Sequence, residues 1–122
     1  MIRIALDTMG GDHGPAAVVD GARLAVERGL VEPEQVLLVG VQEAIEAEIE
    51  RRSLTTLGFP VVDAPDILDG TESPVEAIKR RPRSSVAVGI AQVKERRADA
   101  FVSAGNTGLV VATAMLGLRC LE

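Results

Sequence analysis

Two short segments carry the residues of this chain that could do chemistry. Residues 7–15 hold Asp7, Asp12 and His13 among glycines, and residues 103–108 combine small and polar side chains. Each segment follows an apolar run and precedes a helical pattern, so each is predicted to be a loop between a strand and the amino terminus of a helix. Free N–H groups at a helix start, with Ser, Asn and Thr donors beside them, predict a phosphate or oxyanion site. The predicted phosphate-binding residues are Gly10, Gly11, Ser103, Gly105, Asn106, Thr107 and Gly108.

The candidate catalytic residues are Asp7, Asp12 and His13, all in the first loop. His13 could transfer a proton or contact phosphate, or it could be a turn residue only. Carboxylates are awkward direct ligands for phosphate, so the two aspartates are interpreted as groups that orient His13 or the loop N–H groups, or that bind a cation. The spacing of these residues matches no metal site, and we predict neither a metal nor a cofactor. The glycines alone are equally consistent with a tight turn.

The rest of the chain alternates between predicted strands and predicted helices. Strands are predicted at residues 2–6, 35–40, 59–63 and 100–102, and Pro60 indicates an edge or a strand start. Val41, Ile45 and Ile49 form a helical stripe, and a further helix is predicted from Val86 onward. This order predicts a three-layer α/β/α fold, Rossmann-like and doubly wound, around a parallel sheet. Residues 1–122 are expected to form a single domain.

Composition excludes several classes of protein. The chain has 122 residues, 47% of them hydrophobic, with only two Phe and no Trp or Tyr. An aliphatic core suits a buried parallel sheet. The lack of aromatic stacking platforms and a formal charge of −5 argue against nucleic-acid binding. The single cysteine, Cys120, rules out an internal disulfide, and no apolar run has the length of a membrane span, so we predict a cytoplasmic protein.

One dense basic cluster stands out in this acidic chain. It consists of Lys79, Arg80, Arg81 and Arg83. Such a cluster is either a solvated surface patch or a docking surface for a strongly acidic partner or for phosphate groups. Ser84 and Ser85 follow directly and are predicted to cap the next helix.

Three segments carry a resemblance to a known family. Residues 4–15 resemble the opening signature of the bacterial phosphate acyltransferases of the PlsX type, and residues 98–108 resemble their second signature. Residues 73–80, with the serine pair at 84–85, resemble the middle segment of that family. The matches keep their order along nearly the whole chain. Members of the family are much longer, so the chain is expected to be the amino-terminal part of such an enzyme, with its fold incomplete relative to the family.

The resemblance implies a reaction and partners. A fatty acyl group would move from acyl carrier protein to inorganic phosphate, giving acyl phosphate for phospholipid synthesis. Phosphate can attack the thioester directly, so no protein nucleophile is required. The basic cluster would dock the acidic carrier protein, and the enzyme would be a homodimer with at most peripheral membrane contact. Two alternatives stay open: another phosphate-handling α/β enzyme such as a phosphotransacetylase, and a non-catalytic fragment that binds anions or dimerises.

Overall fold

The computed structural model describes residues 1–11, 13–68, 72–105, 110–111, 114–115 and 118. Strands and helices alternate along the chain, as predicted. In chain order the elements are β1 (Ile4–Asp7), α1 (Ala16–Glu27), β2 (Val36–Gly40), α2 (Gln42–Arg51), β3 (Val61–Asp63), α3 (Pro74–Arg80), α4 (Ser85–Lys94) and β4 (Ala100–Val102). Short 3-10 turns at Pro33–Gln35 and Thr55–Leu57 precede β2 and β3. The described residues from 110 to 118 are helical.

The four strands form one parallel sheet in the order β3-β2-β1-β4. The strand β2 is buried at every residue, because it lies inside the sheet with helices on both sides. The strand β3 lies at an edge, as Pro60 indicated. The chain therefore builds outward from β1 in one direction and then crosses to its other side.

Helices cover both faces of the sheet. Val36 and Leu38 of β2 pack with α1 and α2 in one cluster, whereas Val39 packs in another with residues of α4. Alternate residues of a strand point to opposite faces, so the two clusters lie on opposite sides of the sheet. The predicted three-layer parallel α/β architecture is confirmed.

The start of the first strand differs from the prediction. The strand was expected to begin at Ile2, but β1 begins at Ile4, and Ile2 is exposed. The neighbouring strand β2 begins at Val36, which pairs with Ile4, so the residues before Ile4 have no strand residue beside them on that side. The Arg3 N–H donates instead to the Asp99 carboxylate at 2.8 Å.

The predicted serine cap is present at the start of α4. The Ser84 hydroxyl accepts a hydrogen bond from the Ala87 N–H at 3.2 Å, and Ser85 is the first helical residue. At the start of α3, the Ser73 hydroxyl accepts from the Glu76 N–H at 3.3 Å. The cap at Ser73 sets the start of α3, which carries part of the basic cluster, and the cap at Ser84 sets the start of α4.

Candidate functional site

The two predicted loops lie next to each other at the carboxyl edge of the sheet. The strands β1 and β4 are parallel neighbours, and their pairing aligns Leu6 with Val102. The strand order reverses at β1, since β2 lies on one side and β4 on the other. Open α/β sheets bind ligands at such a reversal, beyond the carboxyl ends of the strands. The predicted meeting of the two loops is therefore confirmed.

Asp7 is the last residue of β1 and is only 1% exposed. Its Oδ1 accepts hydrogen bonds from the Met9 N–H at 2.9 Å and the Gly10 N–H at 3.2 Å. Its Oδ2 accepts the Ser103 hydroxyl at 2.7 Å. Three donors thus balance the cost of burying this charge. The interpretation that Asp7 orients loop N–H groups agrees with these contacts.

Ser103 connects the second loop to the first. Its hydroxyl donates to Asp7 and accepts a hydrogen bond from the Gly105 N–H at 3.0 Å. The N–H groups of Gly10 and Gly105 and the Ser103 hydroxyl are therefore engaged within the protein in this state. A phosphate that takes any of these donors must exchange an internal hydrogen bond for its own. Phosphate contact by these residues stays a prediction.

Gly10 is in close contact with the second loop. A Cβ atom on Gly10 would lie 2.8 Å from the Gly105 nitrogen, 2.9 Å from Asp7 Oδ2 and 3.0 Å from Ser103 Oγ. Only a residue without a side chain fits there. Gly11 is exposed and has φ +80°, a left-handed conformation that glycine adopts without strain.

Sequence reasoning missed two residues that support the first loop. Thr8 is fully buried, and both its N–H and its hydroxyl donate to the Val39 carbonyl at 2.9 Å. A Cβ on Gly40 would lie 2.1 Å from Thr8 Oγ1. The first loop can cross the end of β2 because Gly40 has no side chain. Gly40 ends a strand of otherwise apolar residues, and a glycine in such a position indicates a close approach of another backbone segment.

Several predicted site residues remain untested. Asp12, Asn106, Thr107 and Gly108 lie outside the described residues, as does Cys120. His13 is exposed beside the start of α1, where its carbonyl accepts from the Ala17 N–H at 3.0 Å. A chemical role for its imidazole stays a prediction.

The four residues of the basic cluster differ in exposure and in ion pairing. Lys79, Arg80 and Arg83 are exposed. Arg81 is only half-exposed and forms an ion pair with Glu72 at 3.5 Å. Arg81 Nε and Glu72 Oε2 are both buried without a hydrogen-bond partner in the described part of the chain. Arg81 therefore holds α3 to the preceding segment, and three of the four cations face solvent.

Within the described ranges, no helix is long and apolar enough to cross a membrane. Among the same residues, no group of three or more His, Cys, Asp and Glu side chains is arranged to hold a metal ion.

The fold and the site define a class: a parallel α/β protein with two glycine-containing loops joined at the reversal point of its sheet. Comparison with known proteins gives the family. Residues 2–122 match the model of the family described as fatty acid synthesis protein, and the chain belongs to it.

Curated relatives named phosphate acyltransferase match nearly the whole chain. The relative from Herpetosiphon aurantiacus is 44% identical over 93% of the chain, that from Magnetococcus marinus 43% over 99%, and that from Desulforudis audaxviator 45% over 96%. These matches cover 30%, 34% and 33% of the relatives. The chain thus spans about a third of their length and is similar to the amino-terminal part of phosphate acyltransferases.

Proposed function

We propose that the protein carrying this chain transfers a fatty acyl group from acyl carrier protein to inorganic phosphate. The family and the name of the curated relatives support an acyltransferase of fatty acid or phospholipid synthesis that uses phosphate. The observation that carries the proposal is the direct contact between the two loops, through the 2.7 Å hydrogen bond between Ser103 and Asp7. It brings together the two segments for which phosphate contact is proposed.

The proposed chemistry needs no group on the protein to be acylated. A phosphate oxygen attacks the thioester carbonyl carbon, a C–O bond forms, the C–S bond breaks, and the thiolate leaves. The site contributes by holding phosphate close to the carbonyl, which lowers the entropic part of the barrier. Donors around the tetrahedral oxyanion contribute as well, and losing one such donor typically costs about 3 kcal/mol of barrier. Asn106, Thr107 and Gly108 are proposed among these donors.

The acyl donor is proposed from the exposed basic residues. Lys79, Arg80 and Arg83 are exposed and lie close together in the sequence of a chain with net charge −5. A strongly acidic carrier protein would be attracted to it, and exposed charges of this kind act mainly on the association rate. Arg81 is left out of the docking surface because it is paired with Glu72. We further propose a cytoplasmic homodimer, on the resemblance alone.

A donor comparison tests this proposal on the natural-length protein. Phosphate-dependent thiol release is measured with an acyl carrier protein thioester and with a coenzyme A thioester of the same acyl group. A higher kcat/KM for the carrier-protein donor at low salt is expected. Equal or better use of coenzyme A would indicate a phosphotransacetylase-type enzyme instead. Phosphate binding without any turnover would indicate a non-catalytic protein.

The docking surface has its own control. Reversal of Arg80 and Arg83 to Glu should slow association with the carrier protein, whereas reversal of the exposed Arg28 should not, because Arg28 ends α1 outside the basic cluster. A short neutral thioester should be used equally well by all variants. An equal loss with both donors would place the cluster in the fold or in the phosphate site.

A further inference from the structure

Asp7 makes its hydrogen bonds to the two loops and is closed off from solvent. The residue is 1% exposed, and the donors to its carboxylate are the N–H groups of Met9 and Gly10 on one oxygen and the Ser103 hydroxyl on the other. A group buried to this extent does not touch a substrate that approaches from solvent. Proton transfer to or from substrate requires contact within hydrogen-bond distance or through one water. The position of Asp7 therefore disfavours a direct part in the chemistry.

The same contacts place Asp7 at the centre of a short chain of hydrogen bonds. The Gly105 N–H donates to Ser103 Oγ, the Ser103 hydroxyl donates to Asp7 Oδ2, and Asp7 Oδ1 accepts from Met9 and Gly10. The chain begins in one loop and ends in the other. Separating the loops would break a bond of this network and leave a buried donor or acceptor unpaired, so the connection resists separation.

At Gly10 there is no room for a side chain between the two loops. Its missing side chain leaves the Gly105 nitrogen, Asp7 Oδ2 and Ser103 Oγ within 3.0 Å of where a Cβ would stand. Any side chain at position 10 would push the two loops apart. Wider separation would break hydrogen bonds to the buried Asp7 and leave polar groups unpaired.

We propose that Asp7 and Ser103 form a clamp that fixes the spacing between the two loops, and that Asp7 is a positioning residue and not the proton acceptor of the reaction. The spacing sets how far apart donors on one loop stand from donors on the other, and therefore how well phosphate is held. The kinetic part of this proposal rests on the proposed function, whereas the structural part does not.

Two substitutions at position 7 separate the roles. Asp7→Asn removes the charge and the capacity to take a proton, but its Oδ1 can still accept from Met9 and Gly10. Its amide group can donate to Ser103 Oγ, because a serine oxygen accepts at two lone pairs and Gly105 occupies only one. Asp7→Ala removes every bond of the clamp. The clamp predicts that Asp7→Asn retains activity and Asp7→Ala does not.

The experiment measures two quantities on the natural-length protein. The first is the phosphate dependence of acyl transfer, and the second is amide hydrogen exchange in residues 8–11 and 103–105. Asp7→Ala and Ser103→Ala should each lower kcat/KM for phosphate by about tenfold or more, and the double variant should fall little further, because members of one network act as a unit. Both single variants should speed exchange in both loops. Asp7→Asn should stay within about threefold of the unsubstituted protein in kcat/KM, with near-normal exchange.

A matched serine control accompanies these variants. Ser84→Ala also removes a buried hydroxyl that accepts from a backbone N–H, but at the start of α4. It should leave the phosphate dependence and the exchange of both loops unchanged. If Ser103→Ala behaves like Ser84→Ala, the clamp is refuted.

The remaining outcomes are equally decisive. If Asp7→Asn is as inactive as Asp7→Ala while its loops exchange normally, Asp7 takes a proton and the proposal is overturned. If the unsubstituted protein shows no phosphate-dependent transfer, the proposed function fails, and the exchange measurements alone decide whether the clamp exists. Should Asp7→Ala fail to fold, Ser103→Ala and Asp7→Asn still give both readouts.

Discussion

A glycine-to-alanine pair tests how tightly α4 packs on the sheet. Gly89 lies in α4, and a Cβ there would stand 2.2 Å from a ring carbon of Phe101 in β4. Gly21 lies in α1, and a Cβ there would meet nothing within 4 Å. Both positions are helical, so both substitutions gain the same helix propensity, about 0.5–1 kcal/mol. The difference between them isolates the packing of the Phe101 ring.

The packing at Gly89 gives the expected magnitude. Ordinary contact begins at 3.4 Å, so the Phe101 ring must move by about 1.2 Å to admit the methyl group. Phe101 packs against two of the hydrophobic clusters, which restrict this movement. Overpacking costs about 1–3 kcal/mol, and this site belongs at the upper end. After the gain in propensity, Gly89→Ala should lower the free energy of unfolding by about 2 kcal/mol, whereas Gly21→Ala should raise it by about 0.5–1 kcal/mol.

Urea unfolding of the two variants measures the difference. With an m-value of about 2 kcal/mol/M, the Gly89→Ala midpoint should fall by about 1 M and the Gly21→Ala midpoint should rise slightly. In a Phe101→Leu background the penalty of Gly89→Ala should shrink, because the ring that opposes the methyl group is gone. Equal shifts for Gly89→Ala and Gly21→Ala, or an undiminished penalty with Phe101→Leu, would refute the close packing of α4 on β4.

Three further predictions concern the surface and the helix starts. At low salt, reversing Arg80 and Arg83 to Glu should slow association with an acidic carrier protein. Added salt should reduce the difference in association rate between the variant and the unsubstituted protein, because charges are screened over roughly 8 Å at physiological ionic strength. Stopped-flow binding measures these rates, and rates that do not depend on salt would contradict docking. Ser84→Ala should lower the free energy of unfolding by about 1 kcal/mol, because it removes the cap at the start of α4. An unchanged urea midpoint would contradict a stabilising role of this cap. The Arg23 guanidinium lowers the pKa of Asp20, and the Arg51 guanidinium lowers the pKa of Glu48. The stability from these pairs is therefore present above the ordinary pKa values of 3.8 and 4.5 and is lost as pH falls through the lowered values. Thermal unfolding against pH should show Tm falling in this acidic range, and the fall should be less steep when both carboxylates are replaced by amides.

Much of the fold was predictable because the pattern of apolar residues in the sequence follows the pattern of burial. The strand β2 is an uninterrupted apolar run, since it is covered on both faces, and its limits were predicted to within one residue. The start of β1 was not predictable, because Ile2 continues the alternation of β1 but has no strand residue beside it. Local pattern does not report where a neighbouring strand begins.

The meeting of the two loops was predictable from the sequence, but the contacts between them were not. Parallel strands with glycine-containing loops at their carboxyl ends indicated that the two loops meet. That Asp7 and Ser103 occupy the N–H groups of Gly10 and Gly105 depends on side-chain directions across two strands, which spacing does not give. The pairing of Arg81 with Glu72 was hidden for the same reason, since a run of cations looks uniform in sequence.

The proposed acyl transfer is tested by detecting its product, the acyl phosphate. The natural-length protein is incubated with an acyl carrier protein thioester and radiolabelled inorganic phosphate, and both released thiol and labelled acyl phosphate are quantified. We expect one labelled acyl phosphate for each thiol released, and no thiol release when phosphate is omitted. Thiol release without acyl phosphate, or release that does not depend on phosphate, would contradict the proposed transfer.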